Sequence, residues 1–214
     1  MNMKATFKTL VTIITLSCFS VNGYTTFVAP EDIGNEMMTC PNPAPIPLIE
    51  DFSGGVPPTG WTINNPDGGE GWELTTTTGS DGNPTQVARM DNYQYNAPGQ
   101  LDDLVMPCVD ISTITNPELH FDVAYAPFSA TNFERLHIEF STDCGVTFAP
   151  TTFDKAHLDL ATTGYQASGW GPQASGDWRA EVVDLTPYKS TQTIFKFIQT
   201  AGYGNGLFLS LIHI

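Results

Sequence analysis

The residues of this chain best suited to hold a metal ion lie in the stretch INNPDGGEGW, residues 63–72. Asn64, Asn65 and Asp67 offer amide and carboxylate oxygens in a glycine-rich turn, and calcium takes oxygen ligands of these kinds. The turn is not an EF-hand, because apolar residues stand where that loop carries its first and last acidic ligands. Asn64 and Asp67 are therefore predicted calcium ligands, and the alternative is a turn that is only solvated.

Disulfide formation is the second chemistry that the residues indicate. Cys108 and Cys144 both stand at the ends of predicted strands, whereas Cys40 lies in a proline-rich segment. We predict that Cys108 and Cys144 pair, closing a loop of about 36 residues and stabilising the fold by roughly 4 kcal/mol in the chain-entropy model. The pairing state of Cys40 is left open. No Cys-x-x-Cys spacing or other zinc-binding pattern occurs.

Stacking of an aromatic ring on a sugar is the third chemistry. Four tryptophans lie beside glycines or in predicted loops: Trp61, Trp72, Trp170 and Trp178. One interpretation is that they close the ends and edges of a β-sandwich, and the other is that they form a platform for the apolar face of a sugar. We predict that Trp170, in the glycine-rich loop SGWGPQASG (168–176), is exposed and binds the ligand.

Catalytic motifs are missing from the sequence. It contains no G-x-S-x-G, H-E-x-x-H, G-x-G-x-x-G or P-loop pattern. Carboxylates are so common that a pair such as Glu134 and Glu139 arises by chance, although a glycosidase would need such a pair. We therefore predict that the chain itself is not an enzyme.

Short β-strands must position these residues. Apolar side chains alternate with polar ones in four runs: Leu119, Phe121, Val123 and Tyr125; Leu136, Ile138 and Phe140; Phe195 and Phe197; and Leu207, Leu209 and Leu211. A period of two places one face of each strand in the core and the other in solvent, where His120 and His137 are expected. Asp-Gly and Asn-Pro turns separate the runs, and no helical period of convincing length occurs. The sequence therefore predicts an all-β, two-sheet antiparallel sandwich.

The first residues indicate export. Lys4 and Lys8 precede a short apolar run that ends near the small residue Gly23, which is the plan of a secretory signal peptide over 1–23. Residues 24–46 are predicted to be a proline-rich leader, and 47–214 the folded domain. Without residues 1–23, six basic residues oppose 23 acidic ones, a net charge of −17 that disfavours nucleic acid and anionic membranes as partners.

The order of motifs resembles the cleaved-adhesin family, MAM-like jelly-roll modules of secreted bacterial surface proteins that accompany gingipain-type proteases. The resemblance covers residues 47–208 and rests on motifs that follow one another in the family's order: IEDF (49–52), PPTGW (57–61), LDDLVMPCVDIS (101–112), PELHFDVAY (117–125), ERLHIEFSTDCGVTF (134–148), VVDLTPY (182–188), IFKF (194–197) and Gly204-Asn205.

The resemblance implies a jelly roll of eight or more strands, a structural calcium ion near the chain ends, and binding of an extracellular glycan or surface protein. By the same analogy Glu50 joins Asn64 and Asp67 as a candidate calcium ligand. Ser210 stands where the family usually carries Asp. For that reason the residues from about 209 onward are predicted not to be the natural ending, and the chain to be a fragment.

These observations predict a non-catalytic binding module of a secreted or cell-surface protein. The alternatives are an accessory domain of a secreted peptidase and a jelly-roll hydrolase.

Overall fold

The computed structural model describes Cys40 and residues 42–214; the predicted signal peptide and most of the predicted leader lie outside this part of the chain. The described residues form strands, one four-residue helix, α1 (His157–Leu160), and two 3-10 turns at Ser175–Asp177 and Thr186–Tyr188. None of their helices is long and apolar enough to cross a membrane. The strands are β1 (Ile49–Glu50), β2 (Thr62–Asn64), β3 (Glu73–Thr78), β4 (Pro84–Met90), β5 (Leu101–Val105), β6 (Glu118–Tyr125), β7 (Arg135–Ser141), β8 (Ala149–Ala156), β9 (Arg179–Asp184), β10 (Ile194–Thr200) and β11 (Leu207–His213).

The strands form two antiparallel sheets. The six-stranded sheet has the order β3-β4-β11-β6-β9, and β1 adds to it by pairing with β11. The five-stranded sheet has the order β2-β5-β10-β7-β8. Most neighbours are distant in sequence, as in a jelly roll, so the chain crosses repeatedly between the sheets. The predicted all-β sandwich is confirmed.

The main core lies between the two sheets and is rich in aromatic side chains. Phe121 on β6 is fully buried, and its ring centroid lies 5.1 Å from that of Phe197 on β10 and 5.1 Å from that of Phe153 on β8, both in edge-to-face geometry. Such pairs are favourable beyond the area that they bury. The inward-facing residues of β6 are those that the alternation predicted.

The outer face of the six-stranded sheet carries a second, smaller apolar cluster. Val87, Ala124, Trp178 and Phe208 are buried there, and Trp170 packs against them. The segment 161–178 runs over this face and is tied down by hydrogen bonds, among them Trp178 Nε1 to the Thr78 carbonyl (2.7 Å) and Asn205 Nδ2 to the Gln166 carbonyl (2.7 Å). This face is therefore not simply a solvated one, and it forms the floor of the site described below.

The last strand occupies the middle of the six-stranded sheet. Leu207 and Leu209 face the core, as predicted, but Leu211 is 44% exposed, so its predicted place on the same face is wrong. Leu211 has a φ of +47°, and the register with β6 shifts between Ser210 and His213. The irregularity interrupts the alternation of faces. Whether the natural protein continues differently from about residue 209 stays a prediction.

The two strand histidines differ from their predicted placement in solvent. His120 is partly buried and stacks on His213, with ring centroids 4.7 Å apart. His137 is buried on β7, and burial is the main reason that its pKa is lowered. The solvent-facing prediction is therefore wrong for His137, whose cross-strand neighbour Ile198 on β10 is buried as well.

We expect Phe121→Ala to lower the free energy of unfolding by about 3–5 kcal/mol, because it leaves a cavity between the sheets. Urea unfolding followed by tryptophan fluorescence measures the change. Val182→Ala on β9 is the matched control, since Val182 is 53% exposed and should change stability by less than about 0.5 kcal/mol. Equal losses for the two variants would contradict the assigned core.

Candidate functional site

A cleft of about 340 Å³ lies on the outer face of the six-stranded sheet. Its floor is formed by β3, β4 and β11, and one wall is the glycine-rich loop that carries Trp170. The residues that line it are Thr75, Thr76, Thr77, Arg89, Asp91, Tyr93, Gly169, Trp170, Gly171, Gln173, Gly206 and Phe208. The cleft therefore combines aromatic rings with hydroxyl, amide, guanidinium and carboxylate groups.

Trp170 is positioned from below by Phe208. The two ring centroids lie 6.1 Å apart in edge-to-face geometry, and Trp170 remains partly accessible. The flanking glycines allow this close approach: a Cβ on Gly169 would come 3.2 Å from the Tyr93 ring, and a Cβ on Gly171 would come 3.2 Å from the Phe208 ring. The structure thus places the predicted ligand-binding tryptophan in the cleft, half-buried rather than fully exposed.

The only cationic group among the residues that line the cleft, Arg89, is held by two carboxylates. Arg89 Nε donates to Glu73 Oε1 at 2.9 Å, Arg89 Nη2 contacts the same carboxylate, and Nη2 lies 3.4 Å from Asp91 Oδ2. Register explains the pair, because Glu73 on β3 lies directly opposite Arg89 on β4. The guanidinium is therefore held between two carboxylates and offers no unbalanced positive charge to an anionic ligand.

A row of threonines extends the cleft along the edge strand β3. A neighbouring groove of about 310 Å³ shares Thr76, Thr77 and Gln173 with the cleft and continues past Thr78, Pro84 and Pro172. Thr77 Oγ1 donates to the Pro172 carbonyl at 2.5 Å, which fixes the loop against the strand. Cleft and groove together form an elongated, shallow surface, suited to more than one unit of a chain-like ligand.

The other three tryptophans are structural. Trp61, Trp72 and Trp178 are buried. The indole N–H of Trp72 donates to the Asp102 carbonyl at 3.1 Å, and that of Trp178 donates to the Thr78 carbonyl. Of the two interpretations that the sequence left open, closing the sandwich therefore describes these three residues, and Trp170 differs from them by lining a cleft.

The predicted calcium ligands of the INNPDGGEGW turn have protein partners. Asp67 Oδ1 accepts from the Gly69 N–H at 3.0 Å and Oδ2 from the Tyr95 hydroxyl at 2.7 Å, and these hydrogen bonds lower the pKa of Asp67. Asn64 Nδ2 donates to Asp103 Oδ2 at 3.1 Å. The turn is thus well ordered by its own polar groups.

Glu50, the third predicted calcium ligand, lies on β1 in the six-stranded sheet, whereas Asn64 lies on β2 in the five-stranded sheet. Its Oε1 accepts from the Phe52 N–H at 2.5 Å, and burial raises its pKa. Within Cys40 and residues 42–214, no three His, Cys, Asp or Glu side chains are grouped closely enough to hold a metal. A calcium ion shared by Glu50, Asn64 and Asp67 stays a prediction.

Asp102 is a polar residue that the sequence analysis missed. It is fully buried on β5, and within the described part of the chain neither carboxylate oxygen has a hydrogen-bond partner. Burial raises its pKa to about 7, with further contributions from the charges of Asp67 and Asp103. Opposite it on β10, Gln199 Oε1 is buried and also lacks a described partner. Unpaired oxygens of this kind suit a cation or a proton.

No disulfide joins Cys108 and Cys144 in the structure. The structure instead brings Cys144 close to Cys40, because both residues hydrogen-bond to the Gln192 side chain. Cys40 N donates to Gln192 Oε1 at 3.0 Å, and Cys144 Sγ donates to the same oxygen at 2.7 Å. The proline-rich surroundings of Cys40 carry no periodicity, so the sequence gives no signal of this contact.

Known structures with the same fold were found by comparison. The K1 and K3 cleaved adhesin domains of Lys-gingipain from Porphyromonas gingivalis W83 are each 18% identical to this chain, with TM-scores of 0.54 and 0.53. The K2 domain of Lys-gingipain is 16% identical, with a TM-score of 0.53. The chain has the fold of a cleaved adhesin domain.

The likeness covers 78% of this chain and 95–97% of each adhesin domain. The family resemblance predicted from the motifs is thus confirmed at the level of the fold, and at these identities the likeness shows the fold alone. No family model and no curated protein matches the sequence.

The raised pKa of Asp102 predicts a specific pH dependence. Between pH 3.8, the ordinary pKa, and about pH 7, Asp102 is protonated in the folded protein and ionised in the unfolded chain. The free energy of unfolding therefore falls as the pH rises through this range. In the presence of a chelator, Asp102→Asn should be as stable as wild type near pH 4 and about 2–4 kcal/mol more stable at pH 8. Urea unfolding at both pH values measures the difference. A difference that does not change with pH would contradict the assignment.

Proposed function

We propose that this chain is a non-catalytic extracellular binding module and that the cleft beside Trp170 binds a neutral carbohydrate. The observation that carries the proposal is the combination, in one open cleft, of a partly accessible indole ring with a row of hydroxyl and amide side chains. Sugars present apolar C–H faces to aromatic rings and hydroxyl groups to polar side chains, so they match such a surface.

The charges favour a neutral ligand over an acidic one. The positive charge of Arg89 is offset by the carboxylates of Glu73 and Asp91. The chain as a whole has a net charge of −15. An acidic polysaccharide would meet repulsion without a compensating cation. A neutral sugar avoids this cost and hydrogen-bonds to the Thr75–Thr77 hydroxyls, Gln173 and Asp91.

The cleft supports binding more than hydrolysis. Of the residues that line it, Asp91 is the only one with a carboxyl group, whereas glycosidases of the usual mechanism place two carboxyl groups across the bond to be cleaved. Glu134, a carboxylate considered for such a pair, is fully buried and hydrogen-bonded by the Tyr125 hydroxyl. These observations favour a module that holds its ligand without altering it.

An extracellular location is supported by the signal-peptide pattern of residues 1–23 and by the fold shared with cleaved adhesin domains. Those domains belong to a protein named Lys-gingipain. An accessory domain of a secreted peptidase is therefore the second candidate function, and a carbohydrate-binding surface is compatible with it.

A structural calcium ion is part of the proposal. One observation near the INNPDGGEGW turn supports such an ion: the Asp102 carboxylate is buried without a described partner, and the charge of Asp67 acts on it. Asp67 and Asp102 would hold the ion, and its positive charge would neutralise the two carboxylates.

The carbohydrate site is tested with the Trp170→Ala variant. The neutral oligosaccharide that gives the strongest response of the wild-type protein on a glycan array is titrated by calorimetry. Loss of the stacking surface should weaken binding on the order of tenfold or more, while the melting temperature changes little. Phe133→Ala is the matched control, since Phe133 is 55% exposed and does not line the cleft. Unchanged affinity for Trp170→Ala, or an array without any response, would contradict the proposal.

Calcium is tested by thermal unfolding with and without a chelator. An ion present at 100 times its dissociation constant adds about 2.7 kcal/mol of stability, so the melting temperature should rise with calcium. Asp102→Asn and Asp67→Asn should remove the rise, and Asp81→Asn, in another turn, should keep it. Identical melting of the wild-type protein in both buffers would rule the ion out.

A further inference from the structure

The cleft beside Trp170 and the neighbouring groove differ in chemistry. The cleft is lined by Arg89 and Asp91 and by the rings of Tyr93 and Trp170, whereas the residues that line the groove carry neither charge nor an aromatic ring. The groove instead offers threonine hydroxyls, one amide and the apolar rings of two prolines. Such a surface can bind the hydroxyl groups and C–H faces of a neutral sugar, but a sugar cannot stack on an aromatic ring there.

Three side chains form the junction of the two depressions. Thr76, Thr77 and Gln173 line both of them. Gln173 Nε2 donates to the Gly171 carbonyl at 3.0 Å, and Thr77 Oγ1 donates to the Pro172 carbonyl at 2.5 Å. A second amide proton and the Oε1 atom of Gln173 remain to bind a ligand, and the Thr77 oxygen can still accept. The junction is therefore held in place by the protein and keeps hydrogen-bonding capacity for a ligand that crosses it.

The cleft and the groove follow the length of β4. Pro84 begins this strand and lines the groove, whereas Tyr93 follows shortly after the strand ends and lines the cleft. Seven residues of strand span roughly 20 Å, because a strand rises about 3.3 Å per residue. Pro84 is exposed, and the Tyr93 ring is 40% exposed. Both ends of the path therefore reach solvent, and a ligand need not terminate inside the site.

We propose that the ligand is an internal stretch of a linear neutral polysaccharide, with successive units over Trp170, beside Gln173 and in the groove. This inference rests on the proposed function and adds that the site binds the interior of a chain instead of its end. Trp170 supplies the stacking surface for one unit. Gln173 hydrogen-bonds at the junction, and the rings of Pro84 and Pro172 contact the unit in the groove.

Calorimetry with oligosaccharides of increasing length tests the proposal. The probes are linear cello-, xylo- and manno-oligosaccharides of two, four and six units, together with the parent polysaccharide of the series that binds. A disaccharide is too short to occupy all three positions. The hexasaccharide should therefore bind on the order of tenfold more tightly than the disaccharide, as two additional hydrogen bonds would give. Several protein molecules should bind to each polysaccharide chain.

Pro84→Lys tests the groove separately from the cleft, because it places a long side chain where the outer unit is bound. This variant should bind the hexasaccharide no more tightly than the disaccharide, and its affinity for the disaccharide should equal that of wild type. Asn83→Lys is the matched control, since Asn83 is exposed in the preceding turn and does not line the groove. Melting temperatures check that both variants are folded.

The outcomes separate this inference from the proposed function. Equal wild-type affinities for two and six units, or saturation at one protein molecule per polysaccharide chain, would overturn the inference. Trp170-dependent binding would leave the proposed function standing in that case. A length dependence that persists in Pro84→Lys would also overturn the inference. Absence of binding to every series would overturn both.

Discussion

The pairing of β11 with β4 on one side and β6 on the other is the interaction on which the rest of the structure depends. Leu207 and Leu209 of β11 point into the core between the sheets, while Phe208 between them points to the outer face and supports Trp170. One strand thus sets both the core and the floor of the cleft. Because faces alternate with a period of two, a slip of one residue would expose the leucines and remove the support of Trp170 together.

The cleft derives its character from cross-strand register rather than from an unusual residue. Glu73, Arg89 and Phe208 lie side by side on β3, β4 and β11, so an ion pair and an aromatic ring are neighbours on one surface. The segment 161–178 then adds Trp170 above them. A surface built this way is polar, carries no excess positive charge and is partly aromatic, and these properties favour a neutral sugar over an acidic one.

The sandwich was predictable because apolar and polar side chains alternate along its strands. Leu119, Phe121 and Val123 occupy the core face as their spacing required. The accessibility of Trp170 was predictable in part, because glycines on both sides mark a loop in which an indole ring is not needed for the core between the sheets. The order of short motifs was enough to indicate the cleaved adhesin fold, although identity to its solved members is low.

Other features depend on the three-dimensional pairing and leave no local signal. Arg89, Asp91 and Tyr93 follow one another at every second position from the end of β4, but only the path of the 161–178 segment brings Gln173 beside them. The outward turn of Leu211 arises from a register irregularity. Asp102 belongs to a strand with two adjacent acidic residues, and nothing in that pattern says which of the two is buried without a partner. Cys40 and Cys144 both hydrogen-bond to the Gln192 side chain, although the three residues are far apart in sequence.

The central claim is that ligand meets the outer face of the six-stranded sheet at Trp170. Nuclear magnetic resonance of the ¹⁵N-labelled protein, titrated with the neutral oligosaccharide that it binds best on a glycan array, tests this most directly. The account predicts that the Trp170 indole signal and the amides of Thr75–Thr77 and Tyr93 shift first and in parallel. Shifts confined to the five-stranded sheet, or to the backbone amides of Phe133, Tyr165 and Tyr203, whose exposed rings do not line the cleft, would contradict it.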